Sequence, residues 1–305
     1  MRFYRYIHFI ALSLCAASSA DVASKFKAPN DNSPIDIVLH WQRVDSALWK
    51  YVEEQVPAVL DHTGSAAFDE HLKGVQAVLR YWDAPDYLTN AGLFHSIYGT
   101  EGFQGFSLPL SERSAIQNLI GEKAEKLCFW FCMVDRSTLD KTVFDWSKST
   151  QSSALFELRA RPELGRFQLT LNKEEWLDFV ELTLADWLEQ VEGAAAKPSK
   201  LFLWKTGEAY AYRRLAYRKM SEILSVERSE RLSRIPKKML EEVMATETSQ
   251  TRHLVQPRTP PMSKASAHAL EALRAIGEDI PTDLSPQPLG TDCEASGQKV
   301  CGTSR

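Results

Sequence analysis

The 305-residue chain lacks the features that mark several large protein classes. It has no surplus of positive charge: Lys plus Arg number 36 against 40 Asp plus Glu, a formal net charge of −4. The field that gathers nucleic acid by counterion release is therefore missing, and no nucleic-acid partner is expected. Beyond residue 20, no stretch approaches the run of about 18 apolar residues that a spanning helix needs. Glycine and proline, at 14 each, show no collagen-like usage, and there is no internal repeat. What is present is an ordinary globular composition, 44% hydrophobic and 25% charged, with eight Trp to pack a deep core. At about 150 residues per domain, one core domain with appendages is expected.

Cysteine is also scarce, at five, and its placement separates two environments. Arg2 and Arg5, the mostly apolar run 7–17 and Ser18-Ser19-Ala20 before Asp21 have the form of a secretory signal. Residues 1–20 are expected to be removed, with Cys15, and the protein to enter the secretory pathway or be secreted. An uncleaved anchor is the alternative. Cys293 and Cys301 lie in a polar tail, where an oxidising compartment would let them pair. Cys128 and Cys132 lie in the stretch 127–134, apolar on all sides as a buried helix is, and read as packed thiols. A zinc half-site there would need a second Cys or His pair of matching spacing, which the chain does not supply.

Periodicity organises the rest. Residues 21–34 read as a polar, disordered leader. Ile35, Val38, Leu39, Trp41, Leu48, Val52 and Val56 recur near helical period, and Phe68, Leu72, Val75, Leu79 and Trp82 define a second helix. Pro85 opens a third, running to His95 and ended by glycines at 99, 102 and 105. From Ser111 the apolar positions continue as one helix, or as two joined near Gly121. Leu155 to Leu171, around Pro162 and Gly165, suits a small β-hairpin. Asn172 with Glu175 is a capping-box start for a helix through Leu188. Another helix spans 210–224, and Pro236 breaks or kinks the charged stretch that follows. The fold class is mainly α: a helical bundle over 35–225, with a charged, proline-containing extension over 226–305 that is partly helical or disordered.

Three residues carry directional meaning. His71 borders the core face of the second helix, and His95 points inward from the end of the third. Asp135 follows Cys128 and Cys132 at offsets of seven and three, near the same apolar stripe. A divalent metal (zinc, manganese or iron) would satisfy all three, since imidazole nitrogen and carboxylate oxygen both ligate it. The alternative is two hydrogen-bonded core histidines, with Asp135 capping a helix or pairing with Arg136 or Arg80.

His71, then His95 within Ala91-Gly92-Leu93-Phe94-His95, then Asp135-Arg136 after an apolar helix, resembles the helical HD superfamily of metal-dependent phosphohydrolases. Asp61-His62-Thr63-Gly64, the run 91–101, Leu184 to Glu189 and Tyr212-Arg213-Arg214 resemble more closely a helical domain family of unknown function. The HD resemblance implies a metal held by His71, His95 and Asp135, with His62 or Glu101 as general base. One departure bears on activity. The Asp that follows the second His in HD enzymes is Ser96 here, and a neutral hydroxyl is a poor ligand. The segment from Tyr98 through Gly99 and Thr100 to Gly105 can offer amides to a phosphate or carboxylate, or is simply a helix terminator, and Arg136 can offset phosphate charge. The function expected is an HD-like hydrolase acting on a phosphate ester or related small molecule. Alternatives are a binding module without turnover and an interaction protein working through its tail.

Overall fold

The computed structural model describes residues 34–55, 67–100, 108–147, 155–199, 202 and 204–254. The expected N-terminal signal, His62, Glu101 and the expected pairing of Cys293 with Cys301 lie outside the described residues. Most elements follow the apolar periodicity. Helix α1 spans Ile35–Gln55, α2 Ala67–Tyr81 and α3 Asp86–Phe94. Gly121, at φ 89°, takes a conformation that disfavours a side chain, so the next helical stretch divides into α4, Arg113–Ile120, and α5, Glu122–Met133. Helix α6, Arg136–Asp145, has no strong apolar stripe and was not expected.

The hairpin forms as β1, Leu155–Arg159, antiparallel to β2, Gln168–Asn172, with Leu155 opposite Asn172 and Arg159 opposite Gln168. Alternation puts Phe156, Leu158, Leu169 and Leu171 on the core side, where Phe156 stacks on Trp176 at 4.2 Å between ring centroids. The capping box is realised: the Asn172 side chain accepts from the Glu175 amide, and the Glu175 carboxylate accepts from the Asn172 amide. It launches α7, Lys173–Ala195, buried on every face from Trp176 to Leu188. A helix without a solvent face must be surrounded. Helices α2, α3, α5 and α8 (Arg214–Glu227) all pack on α7, and so does the hairpin.

The domain does not end near 225. Helices α9, Ser229–Leu232, and α10, Ile235–Ala245, pack back onto the bundle, burying Leu232, Met239, Leu240 and Val243. The Trp82 indole donates to Met239 Sδ at 2.7 Å, and the Arg231 guanidinium donates to Glu181 and to the Trp82 carbonyl. The stretch after 225 packs here because its charges are counter-ions to buried carboxylates, Arg228 to Asp178 and Arg231 to Glu181. Pro236 falls in the first turn of α10, where its missing N–H has no intrahelical acceptor, so it begins a helix rather than kinking one. No helix among the described residues is long and apolar enough to cross a membrane.

Candidate metal centre

Two glycines sit where three helices cross and bring polar side chains together. A Cβ at Gly92 of α3 would lie 2.6 Å from Leu79 Cδ1 of α2, so a side chain there would push the Leu79 tip aside. A Cβ at Gly74 would lie 2.5 Å from Glu189 Oε1, so α2 leaves room for the Glu189 side chain of α7. Inside this junction His71 of α2, His95 at the C-cap of α3 and Asp186 of α7 offer ligand atoms that all lie within 4.8 Å of one another.

Each imidazole presents Nε2 to the same oxygen. His71 Nε2 is 3.2 Å and His95 Nε2 3.4 Å from Asp186 Oδ1, with the rings edge to face at 5.1 Å. The Nδ1 atoms are engaged elsewhere. His95 Nδ1 lies 2.7 Å from the Gly92 carbonyl, which can only accept, so that nitrogen carries the hydrogen. His71 Nδ1 is hydrogen-bonded to Glu189 Oε2. Phe131 backs the pair: its ring meets His95 edge-on at 4.9 Å, and the Arg136 guanidinium lies over it at 4.0 Å. Arg136 Nη1 is 3.6 Å from the other Asp186 oxygen, Oδ2.

The electrostatics follow from burial and these contacts. Desolvation opposes a charged His71, but hydrogen bonds to Asp186 and Glu189 outweigh it and push the imidazole up to about 10. Burial would raise Asp186; the hydrogen bonds from both histidines and the charge of Arg136 instead hold it far below the usual carboxylate range.

Asp135 is not the carboxylate that meets the histidines. The chain leaves helical geometry at Val134, ψ 138°, so offsets counted from Cys128 and Cys132 no longer predict where Asp135 faces. Its side chain caps α6, accepting from the Ser137 amide at 2.9 Å and hydroxyl at 2.6 Å, and pairs with Arg166 at 3.3 Å. Cys132 does lie behind the site, its Sγ 3.1 Å from the His95 carbonyl, and both Cys128 and Cys132 are buried and unpaired with each other.

The other expected residues divide. Arg136 reaches the site. Tyr98 is wholly buried and donates to Glu125 at 3.0 Å; Gly99, at φ 81°, gives its amide to the Ser96 carbonyl; the Thr100 carbonyl accepts from Arg161 at 2.7 Å. Their groups are spent inside the fold, which corrects their reading as ligand-binding residues. Asp186 and Glu189 were missed as site residues. The available signal was a set of carboxylates, Asp178, Glu181 and Asp186, within a helix otherwise apolar all round.

Neither a curated protein nor a solved structure matches the chain. A family model described as a domain of unknown function, DUF6817, matches residues 51–136, a span that includes His71, His95, Asp135 and Arg136 and stops short of Asp186 and Glu189.

Proposed function

We propose that His71, His95 and Asp186 hold a divalent cation, and that the protein is an HD-like metal-dependent hydrolase of a small phosphate ester. One observation carries this reading: two imidazoles direct Nε2 at a single carboxylate oxygen while each Nδ1 is tied to an acceptor. That is how metal-bound histidines are oriented, with Glu189 and the Gly92 carbonyl as the outer partners that set tautomer and basicity. Two nitrogens and one carboxylate leave coordination positions open, as catalytic rather than structural sites do. A cation there supplies a bound water of lowered pKa and stabilises charge on the attacked group. The protein's own residues do the rest: Phe131 fixes the His95 ring, Glu189 fixes His71, and the dry α7 face excludes bulk water.

Ser96, in the place of the HD aspartate, favours a second reading, a metal-holding binding module without turnover. Elemental analysis of the purified full chain, with hydrolysis of a generic phosphomonoester by metal-loaded protein, separates the two. About one equivalent of metal in the wild type, absent in Asp186→Asn, and metal-dependent hydrolysis are expected. Metal without hydrolysis supports the module. No metal in the wild type, after supplying zinc, manganese and iron in turn, rejects both.

A further inference from the structure

We infer that Arg136 is the anion-binding residue of this centre and that the ligand class is a small molecule bearing a phosphate group, one oxygen on the cation and the others on the guanidinium. The inference rests on the metal reading above.

The first support is an imbalance among arginines. Arg213 is tied to Asp140, Arg214 to Glu247, and Arg231 to both oxygens of Glu181, each by hydrogen bonds. The Arg136 guanidinium donates no hydrogen bond among the described residues; its ionic contact is the 3.6 Å approach to Asp186, too long for one. A planar group with five donors is thus largely uncommitted.

The second support is that its place is nevertheless fixed. Arg136 is the first residue of α6, directly after the Asp135 cap, and Arg213 Nη2 lies 3.5 Å from its backbone carbonyl. Its guanidinium carbon lies over the same Phe131 ring that backs His95. The Asp135-Arg136 pair therefore divides its work, the aspartate fixing the turn and the arginine reaching the site. A donor group held still with its hydrogen bonds uncommitted is preorganised for a ligand.

The third support is position. The Arg136, His71 and Glu189 side chains are 11%, 14% and 11% exposed, whereas His95 is 1% exposed, so the centre is closed at His95 and Arg136 is among the groups that solvent reaches. One oxygen of Asp186 faces the imidazoles and the other faces Arg136. A tetrahedral anion bound to a cation at the first oxygen has Arg136 one carboxylate-width away.

The fourth support is charge. Asp186 and Glu189 bring two negative charges, and Arg136 with a divalent cation brings three positive ones, which leaves an anion room to balance the centre. Arginine's fork matches two phosphate oxygens at once, which a point charge does not. Anion binding should accordingly require the metal.

The test is calorimetric titration of inorganic phosphate into the full chain, metal-loaded and metal-free, for wild type, R136Q and R136K, with metal content measured on each sample. Wild type is expected to bind phosphate only when loaded. R136Q should keep its metal and lose roughly 10-fold or more in phosphate affinity, the scale of a charge-assisted bond, and R136K should recover part of the loss. Equal phosphate affinity in wild type and R136Q, both holding metal, overturns the role of Arg136 and leaves the metal reading intact. Loss of metal in both variants overturns it too, because Arg136 would then be supporting Asp186. A wild type that takes up no metal rejects the reading beneath the inference, and the inference with it.

Discussion

Helix α7 carries buried carboxylates in both halves, and the two halves treat them differently. Toward its N-terminus, Asp178 meets Arg228 at 2.7 Å, Lys123 at 3.0 Å and the Tyr87 hydroxyl, and Glu181 receives a forked pair of 2.7 Å bonds from Arg231. Toward its C-terminus, Asp186 and Glu189 meet His71 and His95, with Arg136 only at arm's length. Arginine cannot give up its proton and offers no lone pair, so the first half is closed permanently. Histidine can surrender a proton and become a ligand, so the second half can exchange protons for a cation. Burial still pushes Glu181 up despite its guanidiniums, whereas the imidazole hydrogen bonds carry Asp186 down. One half of the helix is read as scaffold and the other as site.

The comparison breaks most visibly at its ends. Asp186→Asn should abolish metal binding while leaving a folded protein, seen as absent metal with retained helical circular dichroism. Arg231→Ala should do the reverse: it removes the forked partner of buried Glu181, leaving only Arg228 at 3.8 Å, and should destabilise the fold by up to about 3–5 kcal/mol. Denaturant unfolding would show it, with metal stoichiometry per folded molecule unchanged. A metal loss in Arg231→Ala as complete as in Asp186→Asn would mean the two halves are one unit.

Subtler changes sharpen the contrast. Glu189→Gln removes the acceptor charge behind His71 and should weaken metal binding by roughly 10- to 100-fold, measured by competition with a chelator. Gly74→Ala places a Cβ against the flexible end of Glu189. Its stability should hold or rise by up to about 1 kcal/mol from helix propensity, while metal affinity falls in the same direction as in Glu189→Gln. Smallest is Asp135→Ala, which removes the α6 cap. About 0.5–2 kcal/mol of stability should be lost with metal stoichiometry retained. Loss of metal there, with Asp186 intact, would restore Asp135 to the ligand set.

Local rules account for much of the fold. The 3.6-residue stripes of α2 and α3, the Asn172–Glu175 box and the hairpin are decided within a few residues of chain and were legible, and the break at Gly121 was one of two readings the sequence left open. So was the inward placement of His71 and His95, because a periodic face fixes direction. One feature here was not legible: the charges around α9 have as partners Asp178 and Glu181, which lie some fifty positions earlier in the chain.

The sequence alone determined that this would be a mainly helical protein with two histidines turned inward from adjacent helices, since helix type and helix face depend on neighbours within a turn or two. Only the tertiary structure decided which carboxylate faces them. Asp135 lies three residues past a cysteine that touches His95, yet one extended residue, Val134, turns it into a cap. Asp186, more than ninety residues beyond His95, arrives because α2, α3 and α7 cross there, with Gly92 leaving room for Leu79 and Gly74 for Glu189. A ligand set is a property of how helices cross, and the crossing is set by contacts between residues far apart in the chain.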